Sequence, residues 1–149
     1  NLTFLSKVLE KAALKQISSH IESNNLLPSY QSAYRKFHSV ETAMIKMYSN
    51  LLDTADKRYV SIVVMIDLSA AFDTIDVPTL LRILHDDFFI QGIPLNWVES
   101  YLTNRTMKVV IEQSASETEP LRFGVPQGSY AGPVIFTLYI AALNKVMQN

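Results

Sequence analysis

One stretch of the chain decides the expected fold: Val60-Ser61-Ile62-Val63-Val64-Met65-Ile66-Asp67-Leu68-Ser69-Ala70-Ala71-Phe72-Asp73. It begins as a β-branched apolar run, residues 60–66, and then changes to a carboxylate, small residues, a ring and a second carboxylate. A continuous apolar run bounded by a charge predicts a strand that is buried on both faces. Because an ionised carboxylate is costly to bury unless it is paired or binds a metal, Asp67 is a candidate catalytic or metal-binding residue. The alternative is that Asp67 only caps the following turn, and the spacing alone does not choose between them.

The composition sets the broad class of protein. The chain has 149 residues, 48% of them hydrophobic, which suits one domain or part of a larger one. No apolar run approaches the roughly 18 residues of a membrane helix. The start, Asn1-Leu2-Thr3-Phe4, has neither a basic region nor a methionine, so it predicts no secretory signal and a piece of a longer protein. The lack of cysteine excludes disulfides and favours an intracellular protein, without choosing between nucleus and cytoplasm.

The charge balance alone argues weakly against a nucleic-acid partner. The chain carries 13 basic and 14 acidic residues, for a net charge of −1. Nucleic-acid binders usually carry a positive footprint. The pairs Arg35-Lys36 and Lys57-Arg58 are candidates for a local basic patch, and the simpler interpretation is two solvated surface pairs.

Apolar residues at helical spacing predict five helices. The first covers about residues 4–22, with Glu10 among the polar residues between its apolar positions. Ser39 and Asp76 are predicted to cap the second and third helices, because their side chains can accept hydrogen bonds from first-turn amides. A shorter fourth helix follows, and the last is predicted at residues 134–147.

Strands are predicted at residues 60–66, 107–112 and 121–123, with a polar hairpin-like loop at 113–119. The order of elements is two helices, a strand, two helices, two strands and a helix. This order predicts an α/β or α+β sandwich in which Asp67 and residues 124–133 can meet at one edge of the sheet.

Residues 124–133 form a second unusual segment, the glycine–proline loop, with the sequence Gly124-Val125-Pro126-Gln127-Gly128-Ser129-Tyr130-Ala131-Gly132-Pro133. Glycine permits positive φ and close backbone approach, whereas proline fixes the chain between such points. Three glycines and two prolines in ten residues therefore predict a loop of defined shape.

Four blocks of the sequence resemble reverse transcriptases, in the order that the family has them. Residues 67–73, an Asp followed by Ala-Phe-Asp, resemble the first palm motif. Residues 123–129, with Gly132-Pro133 after them, resemble the second palm motif. Residues 31–43 resemble the fingers block of non-LTR (LINE-type) retrotransposon enzymes, and residues 2–11 resemble the end of the preceding fingers block.

The resemblance implies part of an RNA-directed DNA polymerase that acts on an RNA template, a DNA primer and a dNTP. It implies a fingers-like helical part over about residues 1–58 and a partial palm, an antiparallel sheet with packed helices, over about 59–149. In the family, the carboxylate that matches Asp67 binds two Mg²⁺ ions, and the backbone carbonyl matching Leu68 assists it. Such ions stabilise the charge that develops during phosphoryl transfer.

The resemblance also implies nucleotide-binding and template-binding residues. Phe72 matches the steric gate, whose ring leaves no room for a 2′-OH and so selects deoxynucleotides. Gln127 and Gly128 match positions beside the incoming nucleotide and template. Arg35 matches a fingers position near template or triphosphate.

The sequence departs from the family pattern in two places. The third palm motif, which brings the other metal-binding carboxylates, is not found in the twenty residues after Ser129. One carboxylate cannot hold two divalent ions in octahedral geometry, so this chain alone is expected not to polymerise. Without the hairpin of the third motif, the central strand has an unpaired edge, and this edge is expected to cause self-association. Tyr130-Ala131 also stands where the family commonly has two aliphatic residues.

Two other functions are compatible with parts of the pattern. The chain could be a non-enzymatic, decayed or co-opted palm-like remnant that acts at most as a binding module. It could also be an unrelated α/β domain with Asp67 as a phosphate acceptor, but that function would need an acidic pair after an earlier strand, and the sequence predicts no earlier strand.

Overall fold

The computed structural model describes residues 3–143, which contain helices together with small antiparallel sheets. This mixture confirms the predicted α/β or α+β class. In chain order the elements are α1 (Phe4–Ser23), α2 (Val40–Asp56), α3 (Val77–Asp86), α4 (Ile93–Leu102), β1 (Arg105–Met107), β2 (Val110–Ile111), β3 (Ser114–Ala115), β4 (Glu119–Leu121) and α5 (Ala131–Ala141). They divide into two compact units. The larger unit joins the chain up to Pro28 with the chain from Ala70 onward, and the smaller unit is Ser29–Ser69.

The helix starts follow local sequence signals. Ser39 and Thr42 form a reciprocal capping box at α2, with the Ser39 amide donating to Thr42 Oγ1 at 2.9 Å. Asp76 caps α3 by accepting from the Thr79 amide at 3.0 Å, and Pro78 lies in the first turn, where its missing N–H is harmless. Hydrogen bonds from the side chain and from the amide of Thr79 hold the pKa of the Asp76 carboxyl below its usual value. Both predicted caps are confirmed.

The larger unit has a core built from one face of each of its helices. α3 buries Leu80 and Leu84, α4 buries Val98, and α5 buries Ile135 and Leu138. α1 adds Leu14, Ile17 and Ile21 at helical spacing. Burial of such side chains is worth about 1.5–3 kcal/mol each, so this packing holds α1 against the later helices despite the long sequence separation.

The strands pair as two two-stranded antiparallel sheets. The predicted strand at 121–123 has wrong bounds, because the pairing with β1 runs over Glu119–Leu121. β1 pairs antiparallel with β4, with Arg105 opposite Leu121, and β2 pairs antiparallel with β3. The prediction of one continuous strand over 107–112 is wrong, because the pairing is interrupted after Met107. The Ser116 hydroxyl accepts from the Val109 amide at 3.0 Å, so a side chain bridges the hairpin where the ladder is interrupted.

The predicted strand at residues 60–66 is also wrong. The run is in no strand, and Val60 and Ile66 are 92% and 79% exposed. An apolar run becomes a buried strand only when neighbouring strands pair with it and cover its faces. Among the described residues β1 to β4 pair only with each other, so the run lacks such neighbours.

None of the helices between residues 3 and 143 combines the length and the hydropathy that crossing a bilayer requires.

Candidate functional site

The glycine–proline loop begins in tight contact with the turn that contains Phe72. The Val125 amide donates to the Phe72 carbonyl at 2.9 Å, and the Gly124 amide donates to the Ile75 carbonyl at 2.8 Å. Gly124 has a φ of +80°, and a Cβ there would lie 2.8 Å from Asp73 Cα. Glycine is therefore required at this position both by the backbone conformation and by the lack of space.

Arg105 fixes the same end of the loop from the other side. Its Nε donates to the Leu102 carbonyl at 3.0 Å, and its Nη2 donates to the carbonyls of Phe123 and Gly124. Partial burial lowers the pKa of the Arg105 guanidinium. This role does not follow from the sequence, because Asn104-Arg105 has the composition of an ordinary polar turn. No local signal marks an arginine whose carbonyl partners lie 18 and 19 residues later.

The centre of the loop is exposed. Gln127 and Gly128 are both solvent-accessible, between the buried Val125 and the partly buried Ser129. Gly128 has a φ of +75°, and no atom lies within 4 Å of where its Cβ would be. The Ser129 amide donates to the Pro126 carbonyl at 3.3 Å and closes the turn. The loop therefore presents an exposed apex between two fixed ends.

The far end of the loop is held by acceptors at the start of α5. Ser129 Oγ accepts from the Gly132 amide at 2.8 Å. Glu10 Oε2 accepts from the amides of Tyr130 at 2.7 Å and Ala131 at 3.4 Å. Glu10 was assigned to the polar positions of α1, but its side chain is 1% exposed.

The Phe72 ring lies beside the loop. Its centroid is 5.1 Å from that of Phe136 on α5, at an interplanar angle of 51°. A Cβ at Gly132 would be 3.9 Å from Phe72 Cδ1 and 3.1 Å from Ser129 Oγ. The structure thus brings Phe72, Gln127 and Gly128 into the same compact unit, with the Phe72 ring against α5 and its carbonyl bonded to the loop.

Asp67, Leu68 and Arg35 belong to the smaller unit. Asp67 is exposed, and Leu68 is 47% exposed. Arg35 is partly buried, and its Nη1 donates to the Gln31 carbonyl at 3.4 Å. This contact holds the guanidinium within the loop before α2.

The described residues do not make a complete magnesium site. Between residues 3 and 143 there is no group of three or more His, Cys, Asp or Glu side chains placed to hold a metal ion. Mg²⁺ requires nearly octahedral oxygen coordination. The Asp67 carboxylate and the Leu68 carbonyl could supply only a share of such a coordination shell.

Comparisons with known proteins agree with the motifs. The model of the family "Reverse transcriptase (RNA-dependent DNA polymerase)" matches residues 1–149. A "Probable RNA-directed DNA polymerase from transposon BS" of Drosophila melanogaster is 28% identical over 95% of this chain and 16% of its own length. The "RNA-directed DNA polymerase from mobile element jockey" is 24% identical in Drosophila melanogaster and 26% identical in Drosophila funebris.

The matches cover 93% and 94% of this chain for the two jockey proteins, but only 15% of each relative. The chain therefore spans about a sixth of the length of these curated relatives. No solved structure matches it significantly. The chain belongs to the reverse transcriptase (RNA-dependent DNA polymerase) family, and the LINE-type resemblance of its four motif blocks is confirmed.

Proposed function

We propose that this chain forms the nucleotide-selecting wall of a retrotransposon reverse transcriptase and contributes one catalytic carboxylate to RNA-templated DNA synthesis. The observation that carries the proposal is the Phe72 ring, which packs against Phe136 and lies close to Gly132, both at α5. Reverse transcriptases act in general on a nucleic-acid template and nucleotide substrates. In the complete protein, the partners would be an RNA template, a DNA primer and a dNTP.

Phe72 would act as the sugar gate. A ring that packs against Phe136 and lies close to Gly132 has little freedom to move away from an incoming sugar. A ribonucleotide adds a 2′-OH, which would have to displace the ring or lose its own hydration. The protein would therefore select deoxynucleotides by steric exclusion.

Gln127 and Gly128 would contact the incoming nucleotide and the template from the exposed apex of the loop. The open space around Gly128 lets a base or sugar approach the backbone closely. The Gln127 amide can both donate and accept hydrogen bonds. Arg35 would face template or triphosphate, since a guanidinium pairs well with phosphate oxygens.

Asp67 and the carbonyl of Leu68 would be metal ligands in the complete protein. Reverse transcriptases generally use divalent metal ions. We propose Mg²⁺, which when bound would stabilise the charge that develops in phosphoryl transfer. The remaining ligands would have to come from residues other than the described ones, because these contain no cluster of three candidate ligands.

The proposed division of the chain is a fingers-like part over about residues 1–58 and a partial palm over about 59–149. We propose that the protein works inside the cell. An RNA template and dNTPs are available there, and a chain without cysteine suits a reducing compartment.

Nucleotide discrimination tests the proposed function. In the complete protein, Phe72→Val should lower the preference for dNTP over rNTP by about tenfold or more, because removing the ring opens the space for a 2′-OH. Single-nucleotide extension of a primer on an RNA template measures this ratio of kcat/KM values. Phe4→Val is the matched control, since Phe4 belongs to the same unit and is 83% exposed.

Two outcomes of these assays would contradict different parts of the proposal. An unchanged ratio in Phe72→Val would contradict the assignment of the gate. A complete wild-type protein that binds primer–template but incorporates no nucleotide would contradict the enzyme, and would favour the non-enzymatic binding module.

A further inference from the structure

We infer that Glu10 is a positioning residue for the glycine–proline loop: from α1, it fixes the start of α5 and thereby the exposed apex at Gln127 and Gly128. This inference rests on the proposed function of that apex in binding the incoming nucleotide. Nothing in the motif comparison assigned a role to Glu10, which is separated by 120 residues from its partner Tyr130.

The contacts of Glu10 use both carboxylate oxygens. Oε1 accepts from the Tyr101 hydroxyl at 3.0 Å, and Oε2 accepts from the Tyr130 amide at 2.7 Å and from the Ala131 amide at 3.4 Å. The side chain is 1% exposed. A side chain that only accepts hydrogen bonds, from three donors, acts as an ionised carboxylate does. Such charge-assisted bonds are roughly twice as strong as neutral ones.

The start of α5 needs an external acceptor. Tyr130 occupies the N-cap position and provides no side-chain cap. The first amides of a helix have no partner within the helix, and its amino terminus carries partial positive charge. Glu10 satisfies the amides of Tyr130 and Ala131, while Ser129 satisfies that of Gly132. Three consecutive amides are thus satisfied, and the place that an anion could take at this terminus is already filled.

Tyr101 links Glu10 to α4. Its ring is stacked on Trp97, with centroids 5.3 Å apart and planes at 7°. Burial, and to a smaller extent the hydrogen bond to Glu10, raises the pKa of the Tyr101 hydroxyl to about 12. The hydroxyl therefore keeps its proton near neutral pH and donates to Glu10. Through Tyr101, α4 is therefore joined to the Glu10 carboxylate, in addition to α1 and the start of α5.

Lys11 adds a second contact between α1 and the loop. Its Nζ lies 4.3 Å from the centroid of the Tyr130 ring, which is a cation–π distance. Tyr130 and Ala131 stand where reverse transcriptases commonly have two aliphatic residues, so the ring of Tyr130 is a feature of this sequence. Glu10 and Lys11, which are consecutive in α1, therefore hold the backbone and the ring of Tyr130, two residues after Gly128. Because these contacts set the position of the loop and do not involve the reacting atoms, a change at Glu10 should affect nucleotide binding more than the chemical step.

The test compares Glu10→Gln with Glu22→Gln in the complete protein. Both change a glutamate of α1 to its neutral isostere, but Glu22 is exposed. Hydrogen exchange should become about tenfold faster at the amides of Tyr130 and Ala131 in Glu10→Gln, because their charge-assisted acceptor is lost. The KM for dNTP should rise about fivefold with kcat within about twofold, because nucleotide affinity depends on loop position. Glu22→Gln should match the wild type in both measurements.

Two results would overturn the inference. One is a Glu10→Gln protein whose exchange at Tyr130 and Ala131 and whose KM equal those of Glu22→Gln. The other applies if Glu10→Gln does not fold: Tyr101→Phe, which keeps the ring stacked on Trp97, should then raise KM about twofold, and an unchanged KM rejects the role. The exchange measurement needs no catalysis, so failure of the polymerase assignment is recognised separately, by a complete wild-type protein that binds primer–template but incorporates no nucleotide.

Discussion

At the scale of single residues, Gly124 has the most restrictive environment in the glycine–proline loop. It combines positive φ with backbone atoms of Phe72 and Asp73 within 3.0 Å of where a Cβ would be. Those atoms belong to the turn that the loop is bonded to, so they cannot move without breaking its hydrogen bonds. Gly128 shares the positive φ but has open space around it.

We expect Gly124→Ala to lower the free energy of unfolding by about 3 kcal/mol or more, because both strain and collision contribute. Gly128→Ala should lower it by only about 1–2 kcal/mol, from the backbone conformation alone. Urea unfolding of the two variants measures the difference. Equal losses in both would show that the close approach at Gly124 has no energetic weight.

Single residues also show how much of the site the sequence could predict. Ser39 and Asp76 were predicted as caps, since their partners lie three residues away and the signal is local. Glu10 and Arg105 were missed, because their partners are brought close only by tertiary packing. Asp67 was a candidate from the apolar run that ends on it, and the family resemblance gave it a role. Leu68, Phe72, Gln127, Gly128 and Arg35 came from the resemblance alone, and all these roles stay predictions.

At the scale of elements, the Glu10 carboxylate of α1 is hydrogen-bonded both to α4 and to the start of α5 in the larger unit. The positions of α1 to α4 could be predicted because each of these helices has its own apolar periodicity. α5 begins at Ala131, before the predicted residue 134, because a helix that is apolar nearly all round has no periodicity to mark its start; the predicted residues 144–147 lie outside the described part of the chain. The strand at 60–66 could not be predicted, because strand formation depends on partners elsewhere in the chain, and its own sequence only shows that it would suit one. The same argument explains why the boundaries of β1 to β4 differed from the prediction.

The contact between α1 and α4 through Tyr101 should weaken at alkaline pH. The pKa of Tyr101 is about 12 in the folded chain, above its ordinary value of 10.0. A raised folded pKa gives stability that is fully present below the unfolded pKa and is lost as pH rises through the folded pKa. We therefore expect Tyr101 to contribute a loss of stability between about pH 10 and 12, reduced by its partial exposure.

Tyr101→Phe removes this titration but leaves the ring. Thermal unfolding from pH 9 to 12 should show a steeper decline in the wild type than in Tyr101→Phe. Because other tyrosines and lysines titrate in both proteins, only the difference between the two curves is informative. Parallel curves would argue against the raised pKa.

At the scale of the whole molecule, large apolar surfaces are exposed in the smaller unit. Ile62 and Val64 in the apolar run are 87% and 76% exposed, and α2 buries none of its residues. Exposed patches of this kind are typical of interaction surfaces or of aggregation-prone segments. We propose that strands from another part of a longer protein cover residues 60–66, since an apolar run of this kind suits a buried strand.

We expect the 149-residue chain to self-associate, and the double substitution Ile62→Lys with Val64→Lys to reduce the association, because charges disfavour apolar contact. Ser61→Lys adds one charge in the same run without removing an apolar side chain, and should have a smaller effect. Sedimentation velocity over a concentration series distinguishes these cases. A monomeric wild-type chain at all concentrations would contradict the expectation.

The central claim is that Asp67 belongs to the catalytic centre of an RNA-templated DNA polymerase, and one measurement tests it most directly. DNA synthesis on an RNA template should be measured for the complete protein as wild type, Asp67→Asn and Asp53→Asn. We expect Asp67→Asn to lower the rate by about a thousandfold or more, because a carboxylate acting on the metal in the transition state is lost. Asp53→Asn, an exposed position on α2, should keep the wild-type rate. An Asp67→Asn protein that extends the primer at a near-wild-type rate would contradict the claim.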